Sequence, residues 1–322
     1  MGANVVIRLQ TQDFRHQTQD IRYKTSDTRH KTQDTRQGRT TPLSSLISPL
    51  SSLISSHLSS LLSPLVFQSD LFKHKTALVT GGGSGIGQAI ATMFLQLGAK
   101  VFIASRKQEK LEKAALELSP LGDFGGYFIC DIRNIEQVQA VADGIREKAG
   151  RLDIVINNAG GQFPSPSADI SKNGWDAVIN NNLNGTWYVT QTMAKNFFIP
   201  QNEGIILNII ANIYRGFPGM AHTGAARAGV DNLTKTLAVE WSPYNIRVNA
   251  VAPGLIMSSG MKNYPPELLK GIEEAVPMKR LGTTDEVAWL TLFLCSPMAS
   301  FITGETVYID GGQRLWGDIF KM

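Results

Sequence analysis

The stretch KTALVTGGGSGIG, residues 75–87, constrains this chain more than any other. Ala77, Leu78 and Val79 form the short apolar run that a strand buried on both faces of a parallel sheet requires. Glycines follow at 81, 82, 83, 85 and 87, and residues 88–97 (QAIATMFLQL) repeat apolar side chains at helical spacing. Outside that context the glycines would mark only a turn; between strand and helix they form a phosphate cradle. Glycine permits a positive φ and a close backbone approach, and the helix start offers unpaired N–H groups to an anion.

Composition fixes the frame. The chain has 322 residues, 43% of them hydrophobic, which suits one α/β domain of about 250 residues plus an extension. The formal charge of +4 is too small to imply nucleic acid, and much of it comes from Arg and Lys in the first forty residues. Two cysteines, Cys130 and Cys295, cannot build a disulfide framework and have no metal-ligand company, so a reducing compartment and no metal site are expected. No run of about 20 apolar residues exists, so no membrane span is expected.

Residues 1–70 are a different kind of sequence. From Thr11 a seven-residue unit repeats as TQDFRHQ, TQDIRYK, TSDTRHK and TQDTRQG, and a Ser/Leu block built on PLSSLIS follows. The first block lacks the apolar a and d positions of a coiled coil, so a disordered, low-complexity extension is expected. The Ser/Leu block carries no acidic residue, a property shared with organelle-targeting segments. The regularity of the repeat favours the extension.

From Lys75 onward strands and helices alternate. Strands are expected at 77–79, 101–104, 126–130, 152–156, 204–210, 246–251 and 305–309. Helices are expected at 88–97, 109–118, 135–149, 175–194 and 225–241. Helical stretches between strands imply right-handed crossovers, hence a doubly wound parallel α/β sheet of about seven strands with helices on both faces, in one domain over 71–322. Ligands then sit at the carboxyl ends of the strands.

Five motifs occur in order along the chain: Thr80-Gly-Gly-Gly-Ser-Gly-Ile-Gly87, Asp131-Ile132, Asn157-Asn-Ala-Gly160, Asn182-Leu-Asn-Gly185 and Arg247-Val-Asn-Ala-Val-Ala-Pro-Gly254. Over roughly residues 72–316 the chain resembles the short-chain dehydrogenase/reductase family, whose fold is of the Rossmann type. Gly160-Gly-Gln-Phe163, Gly216-Phe-Pro218, the segment from His222 to Gly229, and Ser300-Phe-Ile-Thr-Gly304 resemble a narrower group. It contains peroxisomal trans-2-enoyl-CoA reductases and bacterial citronellol/citronellal dehydrogenases.

The resemblance implies a cofactor site residue by residue. Gly81, Ser84, Gly85, Ile86 and Gly87 would hold a pyrophosphate. Asp131 and Ile132 would meet the adenine, and Asn158, Ala159 and Gly160 the middle of the cofactor. Pro253, Gly254, Ile256 and Ser258 would lie beside the nicotinamide, with Ser258 in place of the usual threonine. After the second strand stand Ser105, Arg106 and Lys107, with no acid to bind a ribose 2′-hydroxyl. Arg106 can pair with a 2′-phosphate through two charge-assisted bonds, so NADPH is the expected cofactor.

The catalytic set departs from the family. Its usual serine is represented by Ile210 and Ala211, its helix tyrosine by Thr223 and its lysine by Arg227; only Asn182 matches. A threonine is not a phenol-like acid, and Arg does not deprotonate. Arg227 can still bind ribose hydroxyls. Reducing a ketone needs a strong proton donor at oxygen. Reducing a double bond conjugated to a thioester creates an enolate, which hydrogen-bond donors stabilise. Thr223 is therefore expected to donate to the thioester oxygen. Tyr214, placed like the displaced tyrosine of mitochondrial 2,4-dienoyl-CoA reductases, is the other candidate acid, with His222 behind it.

The expected activity is NADPH-dependent reduction of trans-2-enoyl-CoA, an acyl-CoA thioester substrate. The alternatives are dehydrogenation of branched terpenoid alcohols or aldehydes, and an inactive dinucleotide-binding scaffold. The helices at 175–194 and 225–241, with the last strand and Trp316, resemble subunit-pairing surfaces, so a homotetramer is expected. The resemblance implies a peroxisomal location, with cytosol or mitochondria as alternatives. Phe320-Lys321-Met322 shares only its last two positions with the loose peroxisomal tripeptide.

Overall fold

The computed structural model describes residues 68–263 and 266–315. The repeats at 1–67, which carry most of the expected extension, and the tail from Trp316 to Met322 lie outside the described residues.

Seven parallel strands form one sheet: β1 (Thr76–Thr80), β2 (Lys100–Ser105), β3 (Phe124–Ile129), β4 (Ile154–Asn157), β5 (Gly204–Ile209), β6 (Ile246–Pro253) and β9 (Thr306–Ile309). Between β6 and β9, the two-residue strands β7 (Ile256–Met257) and β8 (Gly282–Thr283) pair with each other. The α-helices of eight residues or more are α1 (Gly85–Gln96), α2 (Gln108–Leu118), α3 (Ile135–Ala149), α4 (Lys172–Ile179), α5 (Gly185–Met193), α6 (Ala221–Glu240) and α7 (Thr284–Cys295). None of the described helices is long and apolar enough to cross a membrane.

The strands are apolar throughout because both faces are covered. Ala77 and Val79 of β1 pack with α1, α2 and α7, whereas Leu78 packs into the layer containing α3 and α5. On the first side Phe94 is fully buried and meets Phe72 edge to face at 4.8 Å; truncating Phe94 to alanine would cost about 3–5 kcal/mol. The strand order β3-β2-β1-β4-β5-β6-β9 reverses direction between β1 and β4. That reversal opens the crevice in which doubly wound sheets bind ligands.

Several element bounds differ from the expected ones. β3 begins at Phe124 because the pair Gly125-Gly126, which reads as a turn, is carried as an irregularity: Gly126 has φ +115° and the pairing with β2 shifts between Val101 and Phe102. The helix expected at 175–194 starts at Lys172 behind an N-cap, Ser171, and π-helical turns follow at Asn180–Asn184 and Ala194–Phe198. α7 had no counterpart in the expected helices. Its start carries a reciprocal cap between Thr283 and Glu286, a sequence signature that identifies it.

Candidate active site

The carboxyl ends of β1, β2, β4, β5 and β6 surround a cleft of about 1050 Å³. Its floor at one end is the glycine loop. Gly81 and Gly85 have φ of +66° and +58°, values that a side chain would oppose. Ser84 caps α1 without a side-chain hydrogen bond, and no acidic residue stands in that helix's first turn. Its N–H groups and hydroxyl are thus open to an anion, as a pyrophosphate requires. Gly87 is buried one turn deeper, against Asn158 and the Gly81 carbonyl.

Thr80 fastens this loop to the end of β4. Its hydroxyl donates to the Ile156 carbonyl (3.1 Å) and accepts from the N–H groups of Asn158 and Ala159 (3.0 Å each). Asn158 Nδ2 returns a bond to the Thr80 carbonyl (2.9 Å). Asn158, Ala159 and Gly160 therefore line the middle of the cleft on a fixed backbone.

Ser105, Arg106, Lys107 and Lys110 line the end beyond β2. Arg106 is exposed and makes no ion pair among the described residues. Ile132 lines the cleft but Asp131 does not; its carboxylate is held by Arg133 Nε at 2.9 and 3.1 Å. The Arg133 hydrogen bonds, with Arg106 as a lesser contributor, hold that carboxyl below its ordinary range. Neighbouring Cys130 also lines the cleft, its thiol raised to about 11 by burial and by Asp131. Pro253, Gly254, Ile256 and Ser258 form the facing wall.

Arg227 enters from α6. It is 7% exposed, it lines the cleft, and its Nη2 lies where a side chain at Gly160 would be. Its buried Nε has no partner, and the guanidinium makes no ion pair among the described residues. Desolvation lowers its pKa to about 10, so it remains charged at neutral pH. A buried cation without a counter-ion is costly, and this one faces the place where a ligand would supply the missing charge or hydroxyls.

The other expected catalytic residues lie off the cleft wall. Asn182, in the first π turn, is buried; it donates to the carbonyls of Gly161 (2.7 Å) and Val178 (2.9 Å) and accepts from Gly161 N–H (3.2 Å), pinning the loop that carries Gly160. Thr223 is fully buried one turn before Arg227, with its Oγ1 3.2 Å from His222 Nδ1. That histidine is buried too. Phe163 packs on its ring, and burial lowers its pKa. Tyr214 is 62% exposed and stands on the rim.

The far end of the cleft is apolar, with Pro164, Phe217, Met220, Leu255, Met261 and Ile272 in its lining. Sequence reasoning missed this end, because these residues come from four separate segments. It also missed Asn181, Asn212 and Gln313, polar lining residues whose only sequence signal is their position just after a strand or beside Asn182. Among the described residues, no Asp, Glu, His or Tyr lines the cleft.

A family model described as Enoyl-(Acyl carrier protein) reductase matches residues 81–314. The chain is 41% identical over 249 residues to a probable 2,4-dienoyl-CoA reductase, (2E)-enoyl-CoA-producing, of Bacillus subtilis (strain 168), covering 75% of this chain and 97% of that one. It is 39% identical over 257 residues to the peroxisomal 2,4-dienoyl-CoA reductase, (3E)-enoyl-CoA-producing, of Pongo abelii, covering 78% and 87%. Among solved structures it superposes on the citronellol catabolism dehydrogenase AtuB of Pseudomonas aeruginosa PAO1 with a TM-score of 0.69 at 42% identity, covering 77% and 98%. A short chain dehydrogenase from Bacillus anthracis gives 0.71 at 45%, covering 76% and 98%.

Proposed function

The chain belongs to the short-chain dehydrogenase/reductase family, and on that premise we propose that it is an NADPH-dependent reductase of double bonds conjugated to a CoA thioester, trans-2-enoyl-CoA first. One observation carries this reading. Among the described residues, the cleft contains a buried, unpaired cation, Arg227, and no side chain able to act as an acid near neutral pH. Such a site suits a reaction whose developing charge is an enolate, because a desolvated cation stabilises that charge strongly. It does not suit protonation of an alkoxide.

Gly81, Ser84, Gly85 and Ile86 would hold the cofactor's pyrophosphate, and Ser105, Arg106 and Lys107 its 2′-phosphate. Ile132 would meet the adenine, with Asp131, held by Arg133, just behind it; Gly87 supports the glycine loop from beneath. Asn158, Ala159 and Gly160 would hold the middle of the cofactor, and Pro253, Gly254, Ile256 and Ser258 would flank the nicotinamide. When bound, NADPH supplies the hydride that adds to the β-carbon. Arg227 serves the nicotinamide ribose and the developing thioester enolate from one position. Asn182 keeps Gly160 and Gly161 in place. Thr223, with His222, sets the turn of α6 that carries Arg227, and water delivers the proton to the α-carbon. The apolar end takes the acyl chain.

The relatives' names add 2,4-dienoyl-CoA as a second candidate substrate. Similarity to AtuB supports a separate reading, oxidation of a branched terpenoid alcohol. NADPH consumption over crotonyl-CoA, longer trans-2-enoyl-CoAs, a 2,4-dienoyl-CoA and citronellal separates them. Turnover of the CoA thioesters is expected. Efficient interconversion of citronellol and citronellal with the thioesters untouched would overturn the proposal.

We further propose a homotetramer paired through the helices over 175–194 and 225–241 and through the last strand, consistent with the exposed Val239 on α6 and the fully exposed Phe301 just before β9. Sedimentation as a concentration-independent monomer would refute it. A peroxisomal location rests on the names of relatives; a version with a free C-terminus found in mitochondria would overturn that.

A further inference from the structure

Two groups of cations stand far apart along the carboxyl edge of the sheet. Arg106, Lys107 and Lys110 follow β2. The second group follows β5 and β9. Arg215 Nη2 donates to the Gln313 carbonyl (2.7 Å), drawing the loop after β5 against the segment after β9. The Arg314 guanidinium lies over the Tyr308 ring, 4.6 Å from its centroid, and Tyr214 meets the same ring edge to face at 6.1 Å. Asn212 and Gln313 line the cleft, so this cluster forms its rim.

Both arginines keep charge to spare. Arg215 makes no ion pair among the described residues. Arg314 lies 3.6 Å from Asp310, but that carboxylate is already held by the N–H groups of Gly312 (3.0 Å) and Arg314 (2.8 Å) and by Asn212 Nδ2 (3.1 Å). In the sheet, five strand-to-strand steps separate β2 from β9, which is roughly 24 Å. The rim is therefore out of reach of the phosphate that Arg106 would take. One dinucleotide leaves the second cationic group without a ligand.

We propose that this rim binds the 3′-phospho-ADP end of the CoA thioester, with Arg215 and Arg314 on its phosphates and the exposed Tyr214 ring stacked on its adenine. Planar guanidinium forks suit phosphate, and an exposed aromatic ring suits a base. The inference rests on the reading of the substrate as a CoA thioester. The pantetheine arm would then run from the rim past Asn212 and Gln313 into the cleft, leaving the acyl group at the apolar end.

Calorimetric titration with CoA and 3′-dephospho-CoA tests the site without any turnover. The unmodified protein should bind CoA at least tenfold more tightly than dephospho-CoA, and Arg215→Ala with Arg314→Ala should remove the difference. Tyr214→Ala should weaken both ligands. Equal affinities in the unmodified protein would overturn the proposal. So would a difference that survives the double substitution and vanishes in Arg106→Ala. Rates with crotonyl-CoA and crotonyl-pantetheine keep the two readings apart. CoA discrimination without enoyl-CoA turnover removes the proposed reaction and leaves the site. Turnover without discrimination removes the site and leaves the reaction. Faster reduction of crotonyl-acyl carrier protein than of crotonyl-CoA, lost in the double variant, would assign the arginines to a protein carrier and overturn the nucleotide site.

Discussion

The Nη2 of Arg227 occupies the space that a β-carbon on Gly160 would fill, and the same β-carbon would stand 2.7 Å from Asn182 Oδ1. The end of β4 is thus shaped around a cation delivered by α6. Gly160→Ala should push Arg227 out of position. A stability loss of about 1–3 kcal/mol from overpacking is expected, together with a fall of at least tenfold in kcat/KM. Thermal melts and steady-state rates on the same sample check both; an unchanged rate would show that Arg227 need not be where it stands.

Arg227→Met should separate stability from activity. An unpaired buried guanidinium is replaced by an apolar chain of similar length, so the ligand-free protein should gain about 1 kcal/mol or more. Turnover should fall about a hundredfold or more if, as proposed, this cation faces a developing enolate. A melting temperature that drops would mean that Arg227 has a counter-charge.

Cofactor choice should depend on three residues acting together. Arg106→Ala should weaken NADPH roughly ten- to a hundredfold, the worth of a charge-assisted bond, and Arg106→Asp should favour NADH. Arg133→Ala should also weaken NADPH, because it frees Asp131 to compete for Arg106. Adding Asp131→Asn should restore the affinity. Equilibrium binding of both nucleotides to the four variants tests this, and equal parental affinities for NADPH and NADH would refute it.

Acid should reveal the cap on α7. The hydrogen bonds from Arg280, then those at Thr283, lower the Glu286 carboxyl to about 2. A carboxyl with a depressed folded pKa stabilises fully above its ordinary value of 4.5 and loses that contribution as pH falls toward 2. Glu286→Gln should therefore cost about 1 kcal/mol at neutral pH, and the gap in melting temperature should close between pH 4.5 and 2. A gap independent of pH would mean that the charge contributes nothing.

Much of the fold could be read from the sequence because both-face burial leaves a plain mark. Ala77, Leu78 and Val79 are apolar in succession only because alternate residues enter different helical layers. The glycine loop was legible for the same reason, since positive φ at Gly81 and Gly85 demands that residue. Asn182, Arg227 and Thr223 could be named, but not their surroundings. Whether a hydroxyl faces a cleft or a histidine depends on helix rotation, and Thr223 meets His222. The position of Tyr214 depends on a loop whose contact, Tyr308, lies far along the chain.

The π turn at Asn180–Asn184 has a consequence for how the enzyme could be lost. A π turn carries one residue more than the α-helix around it requires. In a regular helix that surplus would rotate Asn182 away from Gly161. Deleting one residue there would heal the helix and leave its hydrogen bonding more regular than before, yet release the backbone that carries Gly160. One deletion there would thus trade the contact that pins Gly161 for a sounder helix, and selection for stability alone would erase the irregularity that holds it.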